Sequence, residues 1–264
     1  MSGADAKKKL AAASSVLYPI GAAAFTVALW AVTAAAAGNE LLVPSVGETF
    51  AGLWEMLGES ATYAAIGGTV LRSLEGFALA FAAALLFAAP AVVWAPCRKL
   101  FAPFMAIMRS VPTMSVIMLS LLWATGAVTP LIVVFMTVFP VIYSSFIAAA
   151  DGVDRKAVQM AAIYRVPLGT RVLRLYLPGV LPQIFESARS TLSLTLKITI
   201  AAEVLAQTRD SIGVGMQQAQ SMLQTDRLLA WTLIAVVLGA IAELAVTAVA
   251  AAVRRLRYAR RKRA

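Results

Sequence analysis

The sequence of 264 residues contains no histidine and a single cysteine, Cys97. Without histidine, the chain lacks the commonest general base and the commonest metal ligand of proteins. One cysteine cannot form an internal disulfide, which excludes a secreted disulfide scaffold. Charged residues make up only 14% of the chain, against about 25% in an ordinary soluble domain. These absences exclude a soluble enzyme and a disordered chain.

Apolar residues instead dominate, at 61% of the chain, and they occur in long runs. A helix needs roughly 20 apolar residues to cross the hydrocarbon of a bilayer. The alternation typical of a membrane barrel is missing from the sequence. The runs predict spans at residues 16–37, 74–94, 101–124, 130–150, 192–206 and 228–253. We therefore expect an all-α membrane protein, a polytopic bundle of about six transmembrane helices.

The net charge of +10 is explained by membrane topology rather than by nucleic-acid binding. Most Lys and Arg residues lie before the first span, after the second, between the fourth and fifth, and after the sixth. Cytoplasmic segments of membrane proteins carry this basic excess. The pattern predicts a cytoplasmic basic N-terminus at 1–15, a single transmembrane domain at 16–253 and a basic cytoplasmic tail at 254–264.

Two segments near the N-terminus have more than one interpretation. The basic residues before span 16–37 mimic a signal peptide, but the apolar run exceeds the roughly 7–15 residues of a signal core. We therefore interpret this span as an uncleaved anchor. The mildly amphipathic segment 45–68 is either a helix on the outer membrane surface or an ordinary loop helix.

The segment 151–186, predicted to be cytoplasmic, is the longest polar stretch of the chain. Connections between bundle helices usually have about 2–8 residues, so this longer one is expected to have a function. Residues 157–164 predict a short helix with small residues, which Pro167 and Gly169 end. Two interpretations stay open: a helix that docks into a groove on a partner protein, or a solvated basic loop that only sets topology.

Residues 157–194 resemble the cytoplasmic signature loop of the permease subunits of bacterial binding-protein-dependent ABC importers. That family shows Glu-Ala-Ala-x-x-x-Gly followed by spaced prolines. Here Ala161 takes the second alanine, whereas Gln159 and Arg165 take the glutamate and glycine positions. The resemblance covers most of the chain and points to the nitrate, sulfonate and taurine branch. The other matching residues are Leu177, Pro178, Leu181, Pro182, the runs 72–77, 109–112 and 212–215, Trp123, Phe139, Pro140, Gly152, Ala202 and Glu203.

This resemblance implies a type I ABC importer permease in the bacterial inner membrane, with both termini cytoplasmic. It implies two permease subunits facing each other, as a homodimer or as a heterodimer with a sister permease. A soluble substrate-binding protein is expected on the outer face, at residues 39–68 and 207–225. The implied ATPase-docking residues are Gln159, Met160, Ala161, Ala162, Tyr164, Arg165 and Gly169.

The energy source is expected to lie on another subunit. The chain has no Gly-x-x-x-x-Gly-Lys-Ser/Thr loop that would cradle nucleotide phosphates. We therefore expect a transport subunit that is no enzyme and binds no cofactor, with ATP on a pair of partner ATPases.

Charged side chains inside a span are costly and are therefore candidates for a pathway or gate. Glu203 is the first candidate, with packing among polar neighbours as the alternative. Lys197 either lines the path or extends to the membrane interface. Arg72 and Glu75, three residues apart, are expected to form a local pair. The other candidates are Trp123, Gly213 and Gly215. Trp123 lies at the end of a methionine stripe that faces either lipid or the path, formed by Met105, Met108, Met114 and Met118. Gly213 and Gly215 predict a tight backbone turn.

Two other classes of protein compete with the importer. A stand-alone secondary transporter, driven by an ion gradient, is expected to contain an internal repeat, and the sequence has no matching halves. A membrane enzyme needs a set of catalytic residues. The sequence has no histidine, no paired carboxylates and no nucleophile motif that would provide one.

Overall fold

The computed structural model describes residues 3–39 and 42–261, and this part of the chain is helical without a β-strand. The predicted all-α class is confirmed. The ends of the predicted basic segments, residues 1–2 and 262–264, lie outside the described residues, as do residues 40 and 41. The helices are α1 (Gly3–Ala37), α2 (Val46–Gly58), α3 (Ser60–Val93), α4 (Ala95–Ser110), α5 (Thr113–Trp123), α6 (Thr129–Asp151), α7 (Arg155–Ile163), α8 (Leu168–Arg171), α9 (Leu177–Ala206), α10 (Ile212–Ser221) and α11 (Thr225–Arg261).

Three helices have the length and apolar character of membrane spans: α3, α6 and the Thr225–Val253 part of α11. The pair α4 and α5 makes a fourth if it forms one bent span. The apolar helical stretch Gly21–Ala37 of α1 is shorter than a full span. Helix α9 covers the fifth predicted span but carries Lys197 and Glu203. Among the described residues three to four spans are therefore supported, and six stays a prediction.

The third predicted span, 101–124, is wrong as a single helix. Helices α4 and α5 meet at an angle of 92°. The bend occurs at Val111 and Pro112, both of which have extended backbone. Proline disfavours helical geometry in the residue before it and has no N–H for a helical hydrogen bond. The methionine stripe is therefore divided, with Met105 buried in α4 and Met118 exposed in α5.

The polar segment 151–186 is largely helical and contains α7, α8 and the start of α9. After α8, a π-helical turn at Val172–Tyr176 leads directly into α9. Pro178 and Pro182 lie inside the first turns of α9, in the same helix as the predicted fifth span at 192–206. Pro178 is tolerated because it lies at the helix start, where the first N–H groups have no partner in the helix. Pro182 lies farther inside α9 and removes one of its backbone hydrogen bonds. Helix α3 likewise begins at Ser60, well before the predicted start at 74.

The chain divides into two compact units, and the smaller one comprises Met1–Ser60 and Met216–Thr232. Helix α2 begins at a capping box in which Ser45 and Glu48 bond each other's backbone N–H. The indole N–H of Trp30 donates to the Pro44 carbonyl. The segment 45–68 is thus two helices, α2 and the start of α3, rather than one.

The larger unit comprises Ala61–Gly215 and Leu233–Ala264, and its core is centred on α6, which packs most extensively on α9. Helix α3 contributes a buried face of small residues. Small residues let membrane helices approach closely. At Gly76, a β-carbon would lie 2.8 Å from Val134 Cγ1, which shows how close α3 and α6 are.

Candidate functional site

A buried carboxylate, Glu203, lies near the C-terminal end of α9 and has no exposed surface. One of its oxygens accepts a hydrogen bond from Thr69 Oγ1 at 2.8 Å and the other accepts one from Arg72 Nε at 2.8 Å. The backbone N–H of Gly213 also points to it, at 3.4 Å. The carboxylate is therefore satisfied by partners from α3 and α10, as a buried charge requires.

The expected pair between Arg72 and Glu75 is wrong, because Arg72 binds Glu203 instead. The same guanidinium donates from Nη2 to the Asp210 carbonyl at 2.8 Å. Arg72 is thus held at one end by α9 and at the other by the segment before α10. We call Thr69, Arg72, Glu203 and the backbone of residues 210–213 the Glu203 cluster.

The backbone before α10 is shaped to reach this cluster. Gln207 and Asp210 both adopt the left-handed conformation, each with φ of 48°. Thr208 Oγ1 donates to the Gly126 carbonyl at 2.7 Å, and the Ser211 hydroxyl accepts from the N–H of Val214. The Ile212 N–H donates to Thr69 Oγ1 at 2.9 Å, so residues 207–213 are fixed to α3, α9 and the loop after α5.

The tight turn predicted at Gly213 and Gly215 is wrong, since both residues lie inside α10. Gly213 is instead a site of close approach. A β-carbon there would lie 2.6 Å from Glu203 Cβ and 2.7 Å from the Ile200 carbonyl. Only glycine allows α10 to begin against α9 at this distance.

A matched pair of substitutions in α3 tests this packing. A β-carbon at Gly68 would collide with the Asp210 carbonyl, whereas at Gly67 it would meet nothing within 4 Å. We expect Gly68→Ala to destabilise the protein by about 1–3 kcal/mol through overpacking. Gly67→Ala should stabilise it by up to about 1 kcal/mol, because alanine favours helix. Thermal unfolding of both purified variants measures the difference, and equal stabilities would contradict the described contact.

The predicted short helix at 157–164 is confirmed as α7. The Asp154 side chain caps its start by accepting from the Lys156 N–H at 2.9 Å. No residue of α7 is buried among the described residues. Its large apolar side chains face outwards, with Met160 57% exposed and Ile163 76% exposed. Tyr164, which follows the helix, is also exposed.

Helix α7 ends in a motif that explains the signature glycine position. The Arg165 N–H donates to the Ala162 carbonyl at 3.0 Å, and the Val166 N–H donates to the Ala161 carbonyl at 2.9 Å. These two bonds form a Schellman motif, in which the first residue past the cap is left-handed and usually glycine. Arg165 occupies that position with φ of 50°. Arg165 therefore has the left-handed backbone conformation that glycine usually adopts at this position, and it differs from glycine only in its side chain.

Glycine at this position should make the protein more stable. A left-handed conformation costs a non-glycine residue about 1–2 kcal/mol, so Arg165→Gly is expected to stabilise by about 1 kcal/mol. Arg174→Gly is the control, because Arg174 has a helical backbone and glycine there should destabilise by about 0.5–1 kcal/mol. Thermal unfolding of the two variants measures both changes. Stabilisation by neither variant would contradict the strain assigned to Arg165.

The other predicted site residues do not join one site. Glu203 and Gly213 are in contact, but the nearby Lys197 is exposed on α9 and lies outside the Glu203 cluster. Trp123, at the end of α5, is 82% exposed. In the docking region, Gln159 and Ala162 are exposed on α7, and Gly169 lies in α8 with open space around it. Sequence reasoning missed Arg72 and Thr69 as partners of Glu203.

Comparisons with known proteins agree with this architecture. The family model of the binding-protein-dependent transport system inner membrane component matches residues 80–255. The taurine transport system permease protein TauC of Escherichia coli (strain K12) is 27% identical over 181 residues, which cover 67% of this chain and 66% of that protein. The match thus spans slightly less than two thirds of that relative's length.

A solved structure shares the fold. It is described as the crystal structure of an amino acid ABC transporter with histidines, and superposes with a TM-score of 0.59 at 12% identity. The match covers 74% of this chain and 92% of that chain. The family match does not favour a stand-alone secondary transporter. The chain belongs to the family of inner-membrane components of binding-protein-dependent transport systems. The members of this family are the permease subunits of ABC importers.

Proposed function

We propose that two copies of this chain form the translocation path of an importer for a small organic sulfonate. Each copy docks one ATPase subunit through α7. A substrate-binding protein delivers the solute to the outer face, at residues 39–68 and 207–225. A heterodimer with a sister permease is the alternative to two identical copies.

The single observation that carries the docking proposal is the surface of α7. The helix has no buried residue among those described, yet it exposes Met160 and Ile163. An apolar helix face left exposed in one chain is typical of a helix that enters a groove on a partner. The cap at Asp154 and the Schellman motif at Arg165 fix both ends of α7, which suits a rigid element that transmits force.

The coupling follows from a two-state change. ATP binds to the partner ATPases and is hydrolysed there, and their closure displaces the docked α7 helices. The permease bundles then rock from an inward-facing to an outward-facing state, and ATP and the loaded binding protein each favour one of these states. The Glu203 cluster keeps the segment before α10 attached to α3 and α9, so that this segment moves with the bundle rather than separately.

The substrate class rests on the similarity to the taurine permease. That protein's name assigns it to taurine transport, and taurine carries a sulfonate. At 27% identity over 67% of this chain, the similarity supports the chemical class rather than the particular compound. The binding protein is expected to select the compound.

Reconstitution tests the proposed function. The permease, its ATPase and its binding protein are placed in liposomes, and accumulation of labelled taurine is measured with and without internal ATP. We expect accumulation only with ATP, and unchanged accumulation when ionophores collapse the ion gradients. Accumulation that needs a gradient but no ATPase would contradict the proposal and favour a secondary transporter.

A further inference from the structure

The exposed surface of α7 is apolar in its middle and basic at both ends. Met160 and Ile163 supply the apolar part. Arg155 and Lys156 are exposed in the first turn, and Arg165 is exposed just after the last turn. At 1.5 Å per residue, the two basic ends lie roughly 13 Å apart along the helix axis. Among the described residues, none of these three cations forms an ion pair.

The two carboxylates that lie nearest to α7 in the sequence are already engaged. Asp154 caps α7 by accepting from the Lys156 N–H at 2.9 Å. Asp151 binds Arg98 through two hydrogen bonds, of 2.8 Å and 2.6 Å. These carboxylates therefore do not neutralise the basic ends of α7.

Arg165 is the costly member of this basic set. Its φ of 50° is a conformation that glycine adopts without penalty and that disfavours a bulky side chain. A cation near the C-terminus of a helix is favourable, but a residue inside the last turn would supply the same charge without strain. Cytoplasmic topology likewise needs basic residues but not at this particular position. Neither effect therefore explains arginine here, and strained residues on a surface are typical of functional sites.

We propose that Arg165 forms an ion pair with a carboxylate of the ATPase, at the end of the groove that receives α7. The partner surface that fits has an apolar floor for Met160 and Ile163 and an acidic rim opposite Arg165. Glycine at this position has no side chain to make the contact, so Arg165 favours an ATPase that carries the carboxylate. This inference rests on the proposed docking of the ATPase through α7.

The test compares the stability of the permease with its affinity for the ATPase. The full-length permease is placed in phosphatidylcholine nanodiscs, and binding of the ATPase that co-purifies with the wild type is measured by biolayer interferometry at low and at high salt. We expect Arg165→Gly to unfold about 2–4 °C higher, because the strain is relieved. The same variant should bind the ATPase about tenfold more weakly and with less dependence on salt, because a charged hydrogen bond is lost. Arg165→Lys keeps the charge and should retain the salt dependence.

Two controls separate the contact from net charge and from backbone strain. Lys99→Gln removes one positive charge from an exposed residue outside segment 151–186 and should not change binding. Leu223 has φ of 57° in a second Schellman motif, in which the N–H groups of Leu223 and Gln224 donate to the carbonyls of Gln220 and Ala219. Leu223→Gly should therefore also unfold at a higher temperature, but with unchanged ATPase binding.

A photo-crosslinking amino acid at position 165 identifies what the side chain contacts. We expect crosslinks to an ATPase peptide that contains aspartate or glutamate, located by mass spectrometry in nanodiscs that also contain phosphatidylglycerol. Crosslinks to lipid in place of the ATPase would overturn the proposal, since Arg165 would then bind membrane headgroups.

The binding data have two further outcomes that would overturn the proposal. One is unchanged ATPase affinity in Arg165→Gly, and the other is an equal loss of affinity in Lys99→Gln or Leu223→Gly. A wild-type permease that does not bind the ATPase would contradict the proposed function itself. Wild-type binding that Arg165→Gly fully retains would contradict only the contact of Arg165, so the two failures are distinguishable.

Discussion

An Ala162→Glu variant is expected to remain in the membrane and to lose its ATPase. Ala162 is exposed on α7, so the substitution does not disturb the core. If α7 enters a groove on the ATPase, the new carboxylate becomes buried there without a partner. Such a charge costs about 2–5 kcal/mol, which corresponds to an association weakened by roughly 30-fold or more.

The control adds the same charge to the same helix. Gln159 is also exposed on α7, and it occupies the position where the family pattern has glutamate. Gln159→Glu should therefore retain the ATPase. Both variants are tagged, extracted in mild detergent and compared by the amount of ATPase that co-purifies. Equal recovery from Ala162→Glu and Gln159→Glu would show that α7 is not the docking element.

Loss of Arg72 should destabilise the protein strongly. Glu203 is fully buried, whereas the Arg72 side chain is 15% exposed. Removing one partner of a buried ion pair costs about 3–5 kcal/mol, because the other charge stays buried without compensation. Arg72→Gln leaves the buried carboxylate unpaired, but after Glu203→Gln the arginine can still reach water. We therefore expect Arg72→Gln to be the more damaging of the two.

A double-mutant cycle measures this coupling. The variant with both substitutions should be destabilised by less than the sum of the two single variants, since neither charge then lacks a partner. Glu75→Gln, one turn from Arg72 and exposed, is the control and should change little. Unfolding temperatures and ATP-driven uptake are recorded for each variant. Additive losses, or a loss in Glu75→Gln equal to that in Arg72→Gln, would contradict the assigned ion pair.

Some helices were predictable from the sequence, because nearby residues in the chain determine where they begin and end. Helix α7 was predicted because small residues are followed by Pro167 and Gly169, which end a helix. The buried span α6 was predicted at 130–150 and is observed at Thr129–Asp151, because its apolar run is uninterrupted. Arg165 was recognised as a departure from the family glycine. Only the structure shows that its backbone is left-handed.

Proline shows why the bend between α4 and α5 was missed. Pro90, Pro103 and Pro140 all lie inside continuous helices, whereas Pro112 accompanies a bend of 92°. Proline is tolerated in a membrane helix when neighbouring groups satisfy the freed backbone. The outcome therefore depends on the surroundings, which the sequence does not display.

The partners of Glu203 were missed for a similar reason. Thr69 and Arg72 precede Glu203 by 134 and 131 residues, so no local spacing relates them. The sequence identified Glu203 as a costly charge inside the predicted fifth span. It also placed Gly213 shortly after the end of that span. It did not indicate that Arg72 turns away from the adjacent Glu75 to reach α9.

The most direct test of the central claim is a pull-down of the tagged chain from its native membrane in gentle detergent, followed by mass spectrometry. We predict that a nucleotide-binding ATPase co-purifies in stoichiometric amount and that a substrate-binding protein is recovered after crosslinking. A sister permease in the same complex would replace the homodimer with a heterodimer. Recovery of the chain alone, even after crosslinking, would contradict the claim that this permease is driven by a separate ATPase.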